Sequence, residues 1–225
     1  MGVARPSAGA SRPSAPTAAA AVTWVDLDLT EAATGQDTNS VINSVTASTV
    51  VVANGASAAG SAADVGCLYW SGADTAITGE GYLFVECELS ADVPEAAAIG
   101  VGLAIDPDAL STSNSAWCGL KEQASGSNVQ GWTKFTGSIN SSGSNRTDRT
   151  IGIVARTNSN GQVAEFAEYR RDGSGNITGT FNNPSTTMNG AHDTFILAIS
   201  RSGDAGSNQT IQISAVRYQF VAAPS

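Results

Sequence analysis

Positive charge is scarce in this chain. Among 225 residues, Lys121 and Lys134 are the only lysines and His192 is the only histidine. Charged residues make up 14%, against about a quarter in an average globular protein. The formal net charge is −9, and the few basic residues are scattered. Binding nucleic acid by counterion release needs a clustered basic face, so nucleic acid is not an expected partner. Long apolar runs are missing too, and nothing approaches the roughly 18 residues of a membrane span. Residues 18–22 are too short for the apolar core of a signal peptide and follow Pro13 and Pro16. The opening Met-Gly has Pro6 where a myristoylation motif needs Ser or Thr. Membrane insertion is therefore not expected. Cysteine is limited to Cys67, Cys87 and Cys118, with no CxxC or CxH pair, so no zinc site is expected. Cys67 and Cys87 lie in alternating apolar segments, where free cysteine behaves as a small buried hydrophobe. Such reduced thiols suit folding in a cytoplasm.

Gly, Ala, Ser, Thr and Asn are abundant instead, and the chain divides by composition. Residues 1–23 form a Pro/Ser/Ala-rich segment whose local charge is positive, with Arg5 and Arg12 and no acid before Asp26. A segment of this kind has too little apolar surface to offset its ordering entropy, so a neighbour must hold it if it is to be ordered. A basic arm on an acidic body suggests docking on a negatively charged protein surface. Arg5, Pro6, Arg12, Pro13 and Pro16 are its candidate contact residues. Residues 24–225 are expected to form one β domain, long enough to bury a substantial core.

Strands succeed one another nearly to the end of that body. Val25, Leu27 and Leu29 alternate with Asp26 and Asp28, the pattern of a half-buried strand. Residues 41–53 read as one strand, stopped by Asn54-Gly55. Val65, Cys67 and Tyr69 share one face of a strand and Leu68 and Trp70 the other, which predicts a strand in mid-sheet covered on both sides. In residues 82–89 (YLFVECEL) Leu83, Val85, Cys87 and Leu89 should point inward, and Glu86 and Glu88 outward into solvent. Residues 150–156 and 162–171 flank Asn158-Ser-Asn-Gly161 and predict a hairpin. In the last strand Ile211 and Ile213 have one parity and Val216, Tyr218 and Phe220 the other, predicting a β-bulge near Ala215. Helical periodicity is absent apart from a short turn after Pro107 and the alanines following Pro94. The whole predicts an all-β, antiparallel β-sandwich or jelly roll behind an extended N-terminal arm.

From Ala98 onward the order of elements resembles the concanavalin-like lectin/SPRY type of jelly roll. The segments that carry the likeness are AIGVGLAID, AWCGLKEQ, TIGIVARTNSNGQVAEFAEYRRDG, FILAIS and IQISAVRYQF. They span roughly the last 120 residues and bear on fold far more than on function. The low-complexity arm, the acidic Gly/Ser/Ala/Thr-rich body and the shortage of lysine also resemble bacteriophage virion proteins, such as capsid decoration and head or tail fibre proteins. That resemblance implies a non-enzymatic structural protein of the virion, made in the host cytoplasm. It would bind a capsid or tail protein through the arm and form a homo-oligomer.

Residues able to carry chemistry are few. Glu86-Cys87-Glu88 begins like the E-x-D-x-x-E of one lectin-like hydrolase family, but Ala91 stands where the third carboxylate belongs. His192, beside Asp193, has no GxSxG serine to serve and reads as a turn or interface residue. Asp106-Pro107-Asp108 and Asp26-Leu27-Asp28 match no calcium-loop spacing. No catalytic residue, metal or cofactor is therefore expected. Carbohydrate binding, for instance to a host-surface glycan, needs exposed aromatic platforms beside amides. Trp117, Trp132, Asn140 and Asn145 are the candidates, with Tyr169 and Tyr218 as further aromatics that core packing explains better.

Overall fold

The structure, a computed structural model, describes residues 23–35, 41–53, 64–94, 97–107, 116–122, 129–135, 138–146, 150–171, 177–178, 192–201 and 208–224. Fifteen strands lie among these residues. They are Val25–Asp26 (β1), Ala33–Gly35 (β2), Ile42–Val45 (β3), Thr49–Val52 (β4), Asp64–Ser71 (β5), Gly81–Leu89 (β6), Ala97–Ala104 (β7) and Ala116–Glu122 (β8). Next come Val129–Phe135 (β9), Ser138–Arg146 (β10), Thr150–Thr157 (β11), Val163–Arg171 (β12), Ile177–Thr178 (β13), Thr194–Arg201 (β14) and Gln209–Ala222 (β15). One short helix, Ala73–Ala76 (α1), and a 3-10 turn at Leu29–Glu31 complete the set.

All strand pairs are antiparallel, and they make two sheets. An eight-stranded sheet runs β13-β12-β11-β6-β15-β4-β3, with β1 on β15, and a seven-stranded sheet runs β10-β9-β8-β7-β14-β5-β2. The expected all-β sandwich is what forms. Its core is the space between the sheets. Leu83, Val85, Cys87 and Leu89 of β6 meet Ile99, Val101 and Leu103 of β7 and Phe195, Leu197 and Ile199 of β14 there. Alternation sends their neighbours to the opposite face.

The long last strand carries the expected bulge. Register against β6 slips between Ile213 and Ala215, and the extra residue flips the parity of every later position. Ile213, Val216, Tyr218 and Phe220 consequently all belong to one core. The hairpin is also as expected. β11 and β12 pair across a turn in which the Asn158 side chain accepts from the N–H groups of Asn160 and Gln162 at 2.9 and 3.0 Å. Gly161 closes that turn with φ of 73°, a region that suits glycine.

β5 is covered on both faces, with Leu68 and Trp70 in the main core and Cys67 and Tyr69 in a second cluster with Ala104, Ile196 and Ala198. It lies next to the edge of its sheet rather than in the middle, because the three-residue β2 is its outer neighbour.

Four local readings need correction. The strand expected through Leu29 stops after Asp26, because the Asp28 carboxylate accepts from the Thr30 N–H at 2.8 Å and caps a 3-10 turn. Thr46 and Thr49 close a turn in the segment read as one strand, which makes β3 and β4 a hairpin. Ala97 and Ala98, after Pro94, enter β7 instead of a helix, and the turn expected after Pro107 lies outside the described residues. The fourth concerns Glu86 and belongs to the site below.

Candidate functional site

One buried charge organises the outer face of the eight-stranded sheet. Glu86 has the outward parity that the alternation of β6 requires, yet it is 0% exposed. The expectation that it faces solvent fails, for a reason distributed over three other strands and the residue just before β1. Register puts Arg217 of β15 and Gly152 of β11 on either side of Glu86, and Tyr169 of β12 beyond Gly152. Gly152 is the opening in this row, since a methyl group there would collide with the Tyr169 ring. The ring lies across the glycine, and its hydroxyl donates to Glu86 Oε2 at 2.7 Å.

Two arginines complete the shell. Arg171 Nε donates to Oε2 at 2.8 Å, and Arg217 donates to Oε1 from Nε at 2.8 Å and from its terminal nitrogen at 2.6 Å. Trp24, just before β1, lies over both guanidinium groups, with Arg217 Cζ 4.9 Å and Arg171 Cζ 5.6 Å from its ring centroid. β15, β6, β11, β12 and the residue just before β1 thus all touch one cluster.

The electrostatics fit a closed structural site. Burial and the charge of Glu86 raise the Tyr169 pKa, so the phenol stays a donor. Burial opposes the charge on Arg171, but the hydrogen bond and charge of Glu86 outweigh it and raise the pKa. Both Glu86 oxygens already receive strong donors, which leaves no free carboxylate oxygen aimed at a substrate. Glu88 is half-buried and lies 3.9 Å from Arg217. The two carboxylates suggested by E-C-E are therefore not a matched acid–nucleophile pair.

The other residues singled out in the sequence are dispersed. Tyr169 is buried rather than a platform, and Tyr218 packs on the core side against Phe195 with centroids 4.5 Å apart. His192 is buried, two residues before β14, and not at a surface. Among the described residues no three His, Cys, Asp or Glu side chains converge on a common point. Trp117, Trp132, Asn140 and Asn145 are placed by backbone register alone. Trp132 sits between Ser141 and Gly119, Trp117 between Lys134 and Gly102, and Asn145 opposite Gln130. By register these three positions are of one parity. Asn140, opposite Thr133, is of the other parity. Arg5, Pro6, Arg12, Pro13 and Pro16 lie outside the described residues.

Sequence reading missed Trp24, Gly152, Arg171 and Arg217 as members of one site. The available signal was parity, because Arg217 occupies the outward position of β15 once the bulge is counted.

Comparison with known proteins returns fold likenesses and no sequence relative. No protein-family model and no curated protein sequence matches the chain. Solved structures that resemble it include peanut lectin with a 9-mer peptide, at 10% identity and a TM-score of 0.44, covering 92% of this chain and 100% of that one. The exoplasmic/lumenal domain of VIP36, in a Ca2+/Man3GlcNAc-bound form, has 10% identity and a TM-score of 0.47, with 86% and 85% coverage. A carbohydrate esterase from Shiga toxin-encoding bacteriophage phi24B has 10% identity and a TM-score of 0.38, with 88% and 90% coverage. What the chain's own topology shows is an all-β, antiparallel sandwich of two sheets.

Proposed function

We propose that this chain is a non-enzymatic structural protein of a virion. The arm of residues 1–23 fastens it to a capsid or tail protein, and the β-sandwich is displayed outward. The observation that supports this most directly is how the root of the arm is built into the body. Trp24 covers the Arg171–Glu86–Arg217 cluster, β1 pairs with β15 at Val25 and Asp26, and Leu27 N–H donates to the Val216 carbonyl at 2.8 Å. A tail that only aids solubility has no use for such a fixture, whereas an anchor must pass its attachment on to the fold. In this reading Arg5 and Arg12 pair with acids on the partner, Pro6, Pro13 and Pro16 supply further contacts, and the body forms a homo-oligomer on the particle.

The test is deletion of residues 2–21. The truncated body should fold and fail to join particles; full occupancy on particles would overturn the proposal. A second reading, a glycan- or receptor-binding module, is favoured by the register that sets Trp117, Trp132 and Asn145 at positions of one parity. It requires glycan-array binding that Trp132→Ala abolishes without lowering the thermal midpoint.

A further inference from the structure

Between Trp24 and Gly35 the chain crosses from one sheet of the sandwich to the other. β1 lies on β15 of the eight-stranded sheet, and β2 lies on β5 of the seven-stranded sheet. On the way Leu27 N–H donates to the Val216 carbonyl at 2.8 Å. Leu29 is buried in the main core, and Leu27 and Ala32 pack against it. The fastenings of this crossing form a closed circuit. Register sets Val25 opposite Tyr218. The Tyr218 ring stacks on Phe195 of the other sheet, with centroids 4.5 Å apart. Phe195 lies opposite Trp70 in β5, and Trp70 Nε1 donates back to the Asp28 carbonyl at 2.8 Å. Residues 25–28 complete the ring.

We propose that residues 24–35 are a clasp, a strap that joins the two sheets at this margin and opens only as a whole. Its strands have two and three residues, too few for either to hold by itself. Each therefore depends on the fastenings of the other. Trp24 grips the eight-stranded sheet through Arg171 and Arg217. The Asp28 carboxylate accepts from the Thr30 N–H and hydroxyl at 2.8 and 2.7 Å and fixes the turn that aims the chain at β2. Freeing β1 lets the Asp28 carbonyl leave the Trp70 indole, and losing that bond releases the turn that positions β1. Either route draws Leu29 out of the core, a cost common to every link. A pull on the chain ahead of Trp24 accordingly works against both sheets and does not peel β1 from β15 alone. The clasp belongs to the body, whatever the far end of the arm binds.

Hydrogen exchange in the full chain tests it, read by NMR at the Leu27 amide and the Trp70 indole N–H. The first is bonded to the eight-stranded sheet, and the second comes from the seven-stranded one. Trp24→Ala removes a half-buried side chain and neither of these two donors. It should speed exchange at both by the same factor, at least about fivefold. Leu197, in the middle of β14 and paired on both sides, should exchange as in the wild type. Asp28→Ala, which removes the cap of the turn, should speed the same two groups together. Acceleration at Leu27 alone, or at neither group, would overturn the proposal. Equal acceleration at Leu197 would overturn it too, because the whole domain would then open with no separate clasp. Particle binding reads the anchor and exchange reads the clasp, so either can fail alone.

Discussion

Gly152→Ala is the smallest change that should break the Glu86 cluster. The added methyl would occupy the space of the Tyr169 ring, on the β11 residue between Tyr169 and Glu86. The ring must then lift, and its 2.7 Å hydrogen bond to Glu86 goes with it. A hydrogen bond to a charged group contributes about 1.5–3 kcal/mol, and overpacking a tight site costs about 1–3 kcal/mol. Together these give a loss of about 2.5–6 kcal/mol, a large share of the about 5–15 kcal/mol that holds a typical domain. The assay is urea unfolding of four proteins: wild type, Gly152→Ala, Tyr169→Val and the double variant. Without the ring there is nothing to collide with, and alanine in a strand gains about 0.5–1 kcal/mol over glycine from the unfolded state. Gly152→Ala should therefore be neutral or stabilising beside Tyr169→Val, with a coupling of at least about 2 kcal/mol and unchanged m-values. If Gly152→Ala costs the same with and without the tyrosine ring, the account of this row is wrong.

Replacing Arg217 by methionine strips Oε1 of its donors and leaves Glu86 buried and half-paired, a loss of about 3–5 kcal/mol by chemical denaturation; a cost under about 1 kcal/mol would mean the cluster is solvated. Glu86→Gln should lower the thermal midpoint and change no sugar release over a broad polysaccharide panel, whereas hydrolysis by the wild type that the variant loses would restore the hydrolase reading. Burial, with the charges of Glu88 and Glu86, raises the Cys87 pKa, so Cys87 and the buried Cys67 should resist iodoacetamide in the native protein and label fully in denaturant. Hydrogen bonds from the Thr30 side chain and backbone hold Asp28 below its usual 3.8. A depressed carboxyl stabilises the fold above its unfolded pKa and loses that contribution as pH falls through the folded one. The thermal gap between wild type and Asp28→Ala should thus be full at pH 7 and close as pH drops below 3.8; a gap independent of pH would dismiss the cap.

Local rules sufficed wherever one segment determined its own outcome. The β11–β12 turn comes from Asn158 and Gly161, and the bulge in β15 from a phase change within twelve residues. The inward set of β6 comes from alternation alone. Failures arose where a distant partner decided. Asp28 reads as the polar half of a strand until it meets Thr30 as a cap, and Trp70 then donates to the Asp28 carbonyl at 2.8 Å from another sheet. Glu86 is the clearer case. Alternation correctly assigned it to the outer face, but equating the outer face with solvent was the error. Its cover comes from Tyr169, Arg171, Arg217 and Trp24, which lie 62 to 131 residues away along the chain, and no periodicity within β6 encodes them.

That cover explains why a charge can sit where an apolar residue would pack as well. Burying Glu86 is costly, and an apolar substitute for all members could be equally stable. What apolar residues cannot do is tell one strand register from another. The outer rows of this sheet are otherwise undemanding, with Val154, Ala167, Gln219 and Val221 able to sit beside one another in several alignments. A slip of β15 against β6 by one residue would turn Arg217 to the core side and strand Glu86 without its Oε1 donors. A two-residue slip keeps the face but moves the guanidinium one row along, away from the carboxylate. Only one alignment of β15, β6, β11 and β12 satisfies Tyr169, Arg171 and Arg217 at once. The bulge at 213–215 makes slippage a real hazard, because an extra residue can migrate along the strand. The charged cluster begins two residues after that bulge, where it pins the shifted phase and carries it to Trp24 and the root of the arm.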